Sequence, residues 1–499
     1  MPVKKVLIVL GVLLVCLVVW RLAVATPFLG ALIPAGSLQS SATTGNYVTL
    51  PPDYPAITVT MPAKGTAPGL LFVAPFTSTV FATGHPLGRL IMLDNTGQPV
   101  YYRDMPNGLA MDFKVLPDGT LSYFDWNRQL WQIMDNSYRP IATVKPGNGL
   151  KAADEHELQR LKNGHYLIMA DQDKKIDMSK VVAGGKPNTD VSWQVIQEVD
   201  AAGTVYFSWS VLDHAPLTDT NQSLTTPPVD YSHCNAVEPD TDGNLLLSCR
   251  HLDSITKINR ATGAIMWHLG GRENNFTFTL GAGLPITETL NFNWQHDIRR
   301  QPNGDITLFD NHDGPGPLVS RVLEYKLDEQ HLTATLVRAL HHSPNTYSNA
   351  MGDGQRLPNG DTLVGWGLNT GPALTEFRPD GTMVLDMRFG NSLVSYRAFR
   401  FPWTGHPTWP PALVVQPSQT GLQLAFSWNG ATDVASYRVY GGNSSPPTTL
   451  LGTAPKAGFE TSVQLSGAQA AYGYYEVVPL DPKGQAGAAS NVARNTRAQ

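Results

Sequence analysis

The chain has 499 residues, enough for two or three domains, with a formal net charge of -5 and charged residues at only 15 % of the total. Lys and Arg are scattered rather than clustered, which leaves no basic field to hold a nucleic acid. The 45 glycines and 38 prolines favour short strands joined by tight turns over helical bundles, so the expected fold class is all-β.

In chain order, Lys4 and Lys5 precede an uninterrupted apolar run from Val6 to Trp20, the pattern of an export signal with a positive n-region. Two readings follow. An uncleaved hydrophobic helix over residues 1–33, its reach extended by Lys5 and Arg21, makes the membrane a partner and leaves the rest of the chain outside the cytoplasm, periplasmic or extracellular. Cleavage at Ala23-Val24-Ala25 releases the chain instead. Residues 34–66 read as a linker and an N-terminal strand segment.

Between residues 67 and 400 two short patterns alternate. One is a strand-turn-strand unit with a polar turn, found six times, as in Met92-Leu93-Asp94-Asn95-Thr96-Gly97 and Glu376-Phe377-Arg378-Pro379-Asp380-Gly381. The other is a tight hairpin, as in Leu116-Pro117-Asp118-Gly119 and Leu357-Pro358-Asn359-Gly360, whose turn chemistry supplies the φ > 0 position such a hairpin needs. Each pair of hairpins makes a four-stranded sheet, and six sheets predict a six-bladed β-propeller over 67–405, closed by Gly69 to Ala74. Lys174 to Asp190 and Asp213 to Tyr231 read as surface loops able to roof a site. After Pro410 the texture changes to short alternating strands. Residues 410–497 resemble a fibronectin type III module, a small β-sandwich with Trp428 as its core aromatic and no chemistry of its own.

Three inner hairpins open on a histidine: His156 in Glu155-His156-Glu157, His233 in Ser232-His233-Cys234-Asn235 and His296 in Gln295-His296-Asp297. Equivalent positions in different blades converge on one rim of the channel. Antiparallel pairing that sets Cys234 opposite Cys249 also sets His233 opposite Arg250, with Cβ atoms within about 5.5 Å. With Cys16 inside the apolar run, these two cysteines form either a cross-strand disulfide or a pair of buried thiols. Three histidines are a Zn²⁺ donor set with an open position, but Arg250 repels a cation and suits an anion. Without obvious paired carboxylates, three imidazoles and a guanidinium fit sulfuryl or phosphoryl transfer best.

The stretches Glu155 to Leu167, His233-Cys234-Asn235 through to Cys249-Arg250-His251, Ile258 to Gly271 and Asn293 to Asp297 resemble bacterial arylsulfate sulfotransferases and their broader relatives. The resemblance implies transfer of a sulfuryl group from an aryl sulfate donor to a phenolic acceptor, through a sulfated histidine and without a cofactor. It implies His296 as nucleophile, Arg250 on the sulfuryl oxygens, His233 and His156 managing charge and proton, and Asn235, expected on the same strand face as His233, as a further oxygen ligand. Competing readings are a non-catalytic cell-surface propeller and a metal- or quinone-dependent propeller enzyme.

Overall fold

In a computed structural model the described residues are 37–42, 45–79, 88–105, 108–314, 316–390 and 392–496. The expected anchor over 1–33 lies outside them, and no helix among the described residues is long and apolar enough to cross a membrane. The chain divides into two compact units, one of residues 53–407 with 430–432 and one of the remainder.

The larger unit is a propeller-like ring of six sheets, antiparallel except for the short parallel additions Val229–Asp230 and Thr277–Leu280. Counting from the inner strand outward, blade 1 pairs Leu393–Phe401 with Leu70–Thr77, then Gly88–Leu93 and Pro99–Met105, so the two ends of the unit close the ring together. Blades 2 to 4 begin on Ala110–Val115, Ala153–Arg160 and Cys234–Pro239, and blades 5 and 6 on His296–Arg300 and Asp353–Arg356. Inner strands of successive blades touch all the way round. Apolar side chains fill the spaces between sheets, as where Trp193 and Trp209 of blade 3 pack with Val237 and Leu247 of blade 4.

The turns follow from the sequence. Asp94 accepts from the Thr96 and Gln98 amides at 2.8 and 3.0 Å, and Asp135 holds Ser137 and Arg139 in the same way. Gly97 and Gly119 follow with φ of +77° and +80°, where a Cβ would be strained.

Three expectations change. Residues 34–66 are divided: Ser40–Ala42 pairs with Glu460–Leu465 in the smaller unit, whereas Ile57–Met61 is the outermost strand of blade 6. Lys174 to Asp190 is a continuation of the blade 3 hairpin, because Tyr166–Ile176 and Thr189–Val199 stay paired to Ile176 opposite Thr189, with Met178 buried at the tip. In the smaller unit two four-stranded sheets enclose Phe426, Tyr437 and Tyr475. Trp428 is only half-buried and gives its indole N–H to the Trp409 carbonyl, so it is not the core aromatic.

Candidate active site

The site lies where inner strands of blades 3 to 5 begin, and irregular backbone shapes it. His233, Trp294, Asp297 and Met351 have φ of +43°, +55°, +59° and +66°, a conformation that costs a non-glycine residue roughly 1–2 kcal/mol. Register shifts interrupt the inner strands between Ala153 and Leu158, Cys234 and Ala236, and His296 and Arg299. A bulge re-aims side chains that simple alternation would send to opposite faces. Asn235 sits in one of these shifts, so its expected place on the His233 face does not follow from counting by two. It is fully buried. Its amide nitrogen donates to the Gln295 carbonyl at 2.8 Å, and its Oδ1 has no partner among the described residues.

Cys234 lies opposite Cys249 as the pairing predicted, the two are bonded, and the Arg250 amide donates to the His233 carbonyl at 3.1 Å. His156 and His233 converge with ring centroids 5.1 Å apart. A histidine that spacing did not single out, His251, continues the row 4.7 Å from His233. Each ring is held at Nδ1: His156 by Asp154 Oδ1 at 2.8 Å, His233 by the Asp230 carboxylate in a short contact, and His251 by the Asp230 carbonyl at 2.7 Å. Burial and the adjacent His233 push the His251 imidazole down to about 3.

His296 is 1 % exposed. Its tautomer follows from its neighbours. The Asn311 amide nitrogen donates to the Ser348 and Met351 carbonyls, both at 2.9 Å, which turns the Asn311 oxygen toward His296 Nδ1 at 2.6 Å. Nδ1 therefore carries the hydrogen, and Nε2 accepts the Met351 amide at 3.1 Å. Burial, then the charge of Arg250, holds the ring well below the usual histidine range, so it is neutral and nucleophilic.

Four arginines are buried among the described residues, and Arg321, Arg397 and Arg400 are ion-paired with carboxylates. Arg250 makes no ion pair among the described residues. One Nη donates to the Asn349 carbonyl at 2.9 Å, the guanidinium stacks 4.3 Å over Trp294, and Nε has no hydrogen-bond partner among the described residues. Burial pulls Arg250 down to about 10 despite the charges of Asp313, Asp230 and Asp253. It remains a cation with donors to spare.

The site also contains the carboxylates that the sequence did not reveal. Burial pushes Asp154 to about 7 against the hydrogen bond it accepts from the His156 amide, with the charge of Asp230 adding to the rise, and burial followed by the charge of Asp154 pushes Asp171 to about 7. Asp171 also takes a hydrogen bond from Gln194 at 2.9 Å. The donor atoms of Asp230, His233 and His251 lie within 4.8 Å of one another, as do those of Asp154, Glu155 and His156, so these are the residues able to hold a metal. The Nδ1 atoms of His156, His233 and His251 are engaged in hydrogen bonds, which leaves Nε2 as the nitrogen each ring could offer. Trp294 and Asn311 were also missed; adjacency to His296 pointed to the first, while Asn311 lies 15 residues away and carried no signal.

A family model described as "Arylsulfotransferase (ASST)" matches residues 114–390, and the sandwich lies beyond it. No curated protein matches the chain. Among solved structures, a protein of unknown function from Bacteroides caccae is similar at 11 % identity and a TM-score of 0.41, over 66 % of this chain and 98 % of that one. Virginiamycin B lyase from Staphylococcus aureus, a catalytically inactive variant with quinupristin, is similar at 7 % identity and a TM-score of 0.34, over 82 % and 100 %. A regucalcin from Agrobacterium tumefaciens is similar at 14 % identity and a TM-score of 0.32, over 65 % and 83 %.

Proposed function

The chain belongs to the arylsulfotransferase (ASST) family, and on that premise we propose that it moves a sulfuryl group from an aryl sulfate to a phenolic acceptor through a sulfated histidine. The observation that carries this reading is Arg250, among the described residues the buried arginine without a carboxylate ion pair, beside a neutral imidazole. A guanidinium in that state is suited to an oxygen-rich anion.

In this reading Arg250 holds the sulfuryl oxygens and His296 attacks sulfur through Nε2. The nitrogen–sulfur bond forms as the sulfur–oxygen bond to the aryl group breaks. Nε2 gives up the Met351 N–H as it attacks, and that donor becomes available to a sulfuryl oxygen, in the manner of an oxyanion hole. His233 and His156 supply the proton to the departing phenolic oxygen and take one from the incoming acceptor, which then displaces His296 from sulfur. Asn235 is the further polar contact. Residues 1–33 tether the enzyme to a membrane with the propeller outside the cytoplasm, and the sandwich is an accessory module of fibronectin type.

Full-length protein is incubated with an aryl sulfate whose freed phenol absorbs, with and without a second phenol, and compared with His296→Asn. The expected result is acceptor-dependent release that disappears in the variant. Equal release in both proteins, or none with any donor, sinks the proposal.

A further inference from the structure

Arg250, on which the proposed reaction depends, is held by something other than a carboxylate. A long side chain has many rotamers to lose before it can serve a fixed site, and a carboxylate that fixed the guanidinium would also occupy its donors. Trp294 meets both needs. The guanidinium lies 4.3 Å over the indole ring, an attraction between the cation and the π face that uses none of the N–H groups. His251 meets the same indole edge-on, with ring centroids 5.1 Å apart and planes at 74°, so the indole is itself braced.

The backbone of Trp294 is tied to both halves of the site. Its φ is +55°, an outlier for so bulky a side chain, and such a conformation persists only where the surroundings over-determine it. The Trp294 amide donates to Asp253 Oδ1 at 2.8 Å. Asp253, itself left-handed at φ +50°, closes the turn Arg250–Leu252 by giving its amide to the Arg250 carbonyl at 3.3 Å. The Trp294 carbonyl lies 3.2 Å from His296 Nδ1, whose hydrogen it shares with Asn311. One residue leading into blade 5 therefore meets the arginine's turn in blade 4 through its amide and ring, and the nucleophile through its carbonyl.

We propose that Trp294 is a positioning residue that fixes the Arg250 guanidinium relative to His296 by its indole face, leaving the remaining guanidinium N–H groups for a tetrahedral oxyanion. This rests on the sulfuryl-transfer reading and adds Trp294 to it. No bond to Trp294 forms or breaks. While sulfur passes from the aryl oxygen to His296 Nε2, its other oxygens stay on Arg250, so the place of the guanidinium sets how closely sulfur approaches the attacking nitrogen. Misplacing reacting groups by about 1 Å can cost about 100-fold in rate, which is why a residue that touches no substrate matters to turnover.

The test measures anion binding and turnover separately. Full-length protein is titrated with inorganic sulfate against chloride at equal ionic strength, and binding is the rise in unfolding midpoint beyond that of Arg250→Met, which carries the general salting effect of sulfate. Wild type should show a saturable excess. Trp294→Leu, apolar but without a π face, should bind sulfate about 10-fold more weakly, and Trp294→Phe about 3-fold more weakly. With an aryl sulfate donor, kcat should fall about 30-fold in Trp294→Leu but less than about 2-fold when the same substitution is made on Arg250→Met, because the indole acts through the guanidinium. No excess in the wild type, unchanged sulfate affinity in folded Trp294→Leu, or a kcat loss equal in both backgrounds overturns the inference, and acceptor-dependent release in the wild type then leaves sulfuryl transfer standing. If Trp294→Leu does not fold, Trp294→Phe carries the test, and wild-type affinity in that variant overturns it. Sulfate binding that follows Trp294 as expected, with no acceptor-dependent release in the wild type, refutes sulfuryl transfer and leaves Trp294 as the residue that positions an anion site.

Discussion

Two groups of buried charges share the same inner strands and are built on opposite rules. Along the propeller axis, Lys114, Arg299 and Arg397 face Asp112, Glu157 and Asp297, with Lys114 2.9 Å from Glu157, Arg299 2.6 Å from Glu157 and Arg397 3.0 Å from Asp112. Every charge in that group has an opposite partner. In the site, Arg250 has no carboxylate, and Asp154, Asp171 and Asp230 have no Lys or Arg ion pair among the described residues. The groups interlock: His156 precedes Glu157 and His296 precedes Asp297, each pair giving one residue to the site and one to the axis. Paired charges hold the blades in register. In the proposed reaction the unpaired ones are left for ligand and proton.

The largest test of this contrast is Arg397→Met. Arg397 is fully buried on four blades' charges and carbonyls, reaching Asp112, Glu157, Asp297 and the Asn235 carbonyl. Its loss strands carboxylates, so chemical denaturation should show about 3–5 kcal/mol less stability. Arg250→Met removes a cation that has no ion pair. It should leave the unfolding midpoint unchanged or raised, while turnover falls by roughly 3 kcal/mol of barrier. Equal destabilisation by both substitutions would erase the distinction between the two groups.

The pH response should split in the same way. Burial pushes Glu157 up, but Arg299, Lys114 and Arg397 outweigh it and hold it at about 2. Its stabilisation is present above the ordinary carboxylate range and is lost as pH falls toward 2. Asp154, raised to about 7, has the opposite sign: it binds its proton more tightly folded than unfolded, so its contribution is present at low pH and lost as pH climbs through 7. Thermal midpoints should therefore peak between about pH 4 and 6. Asp154→Asn should recover about 1 kcal/mol of the loss at pH 8; a profile unchanged by that substitution would mean the acidic group is compensated in solution.

The smallest effect belongs to a charge pair outside both groups. Lys175 and Asp190 meet at 2.8 Å with both side chains mostly exposed. Lys175→Ala should change stability by less than about 0.5 kcal/mol, because solvent screens such pairs. A larger change would show that the extended blade 3 hairpin depends on it.

Much of the fold was legible because its signals are local. Turn residues repeat with the hairpins, and the Cys234–Cys249 register by itself sets Arg250 beside His233. His156, His233 and His296 stood out by their place in the repeat, and Arg250 by strand register. His251 was passed over because it falls after the end of a strand, where repeat position says nothing, and Asn311 because a hydrogen-bond partner from the facing strand leaves no mark at short range. Asp154, Asp171 and Asp230 looked like ordinary polar residues on separate segments.

By itself the sequence determined the period: alternating apolar residues set the strands, and Asp, Asn and Gly at fixed offsets set the turns, since both depend on contacts a few residues long. Tertiary structure alone decided which charges are paired. Register shifts and left-handed residues at the starts of the inner strands break the alternation that counting assumes, and ring closure brings together side chains as far apart as Asp112 and Arg397. Whether a buried charge is neutralised or left for a ligand depends on those distances, which no local pattern encodes.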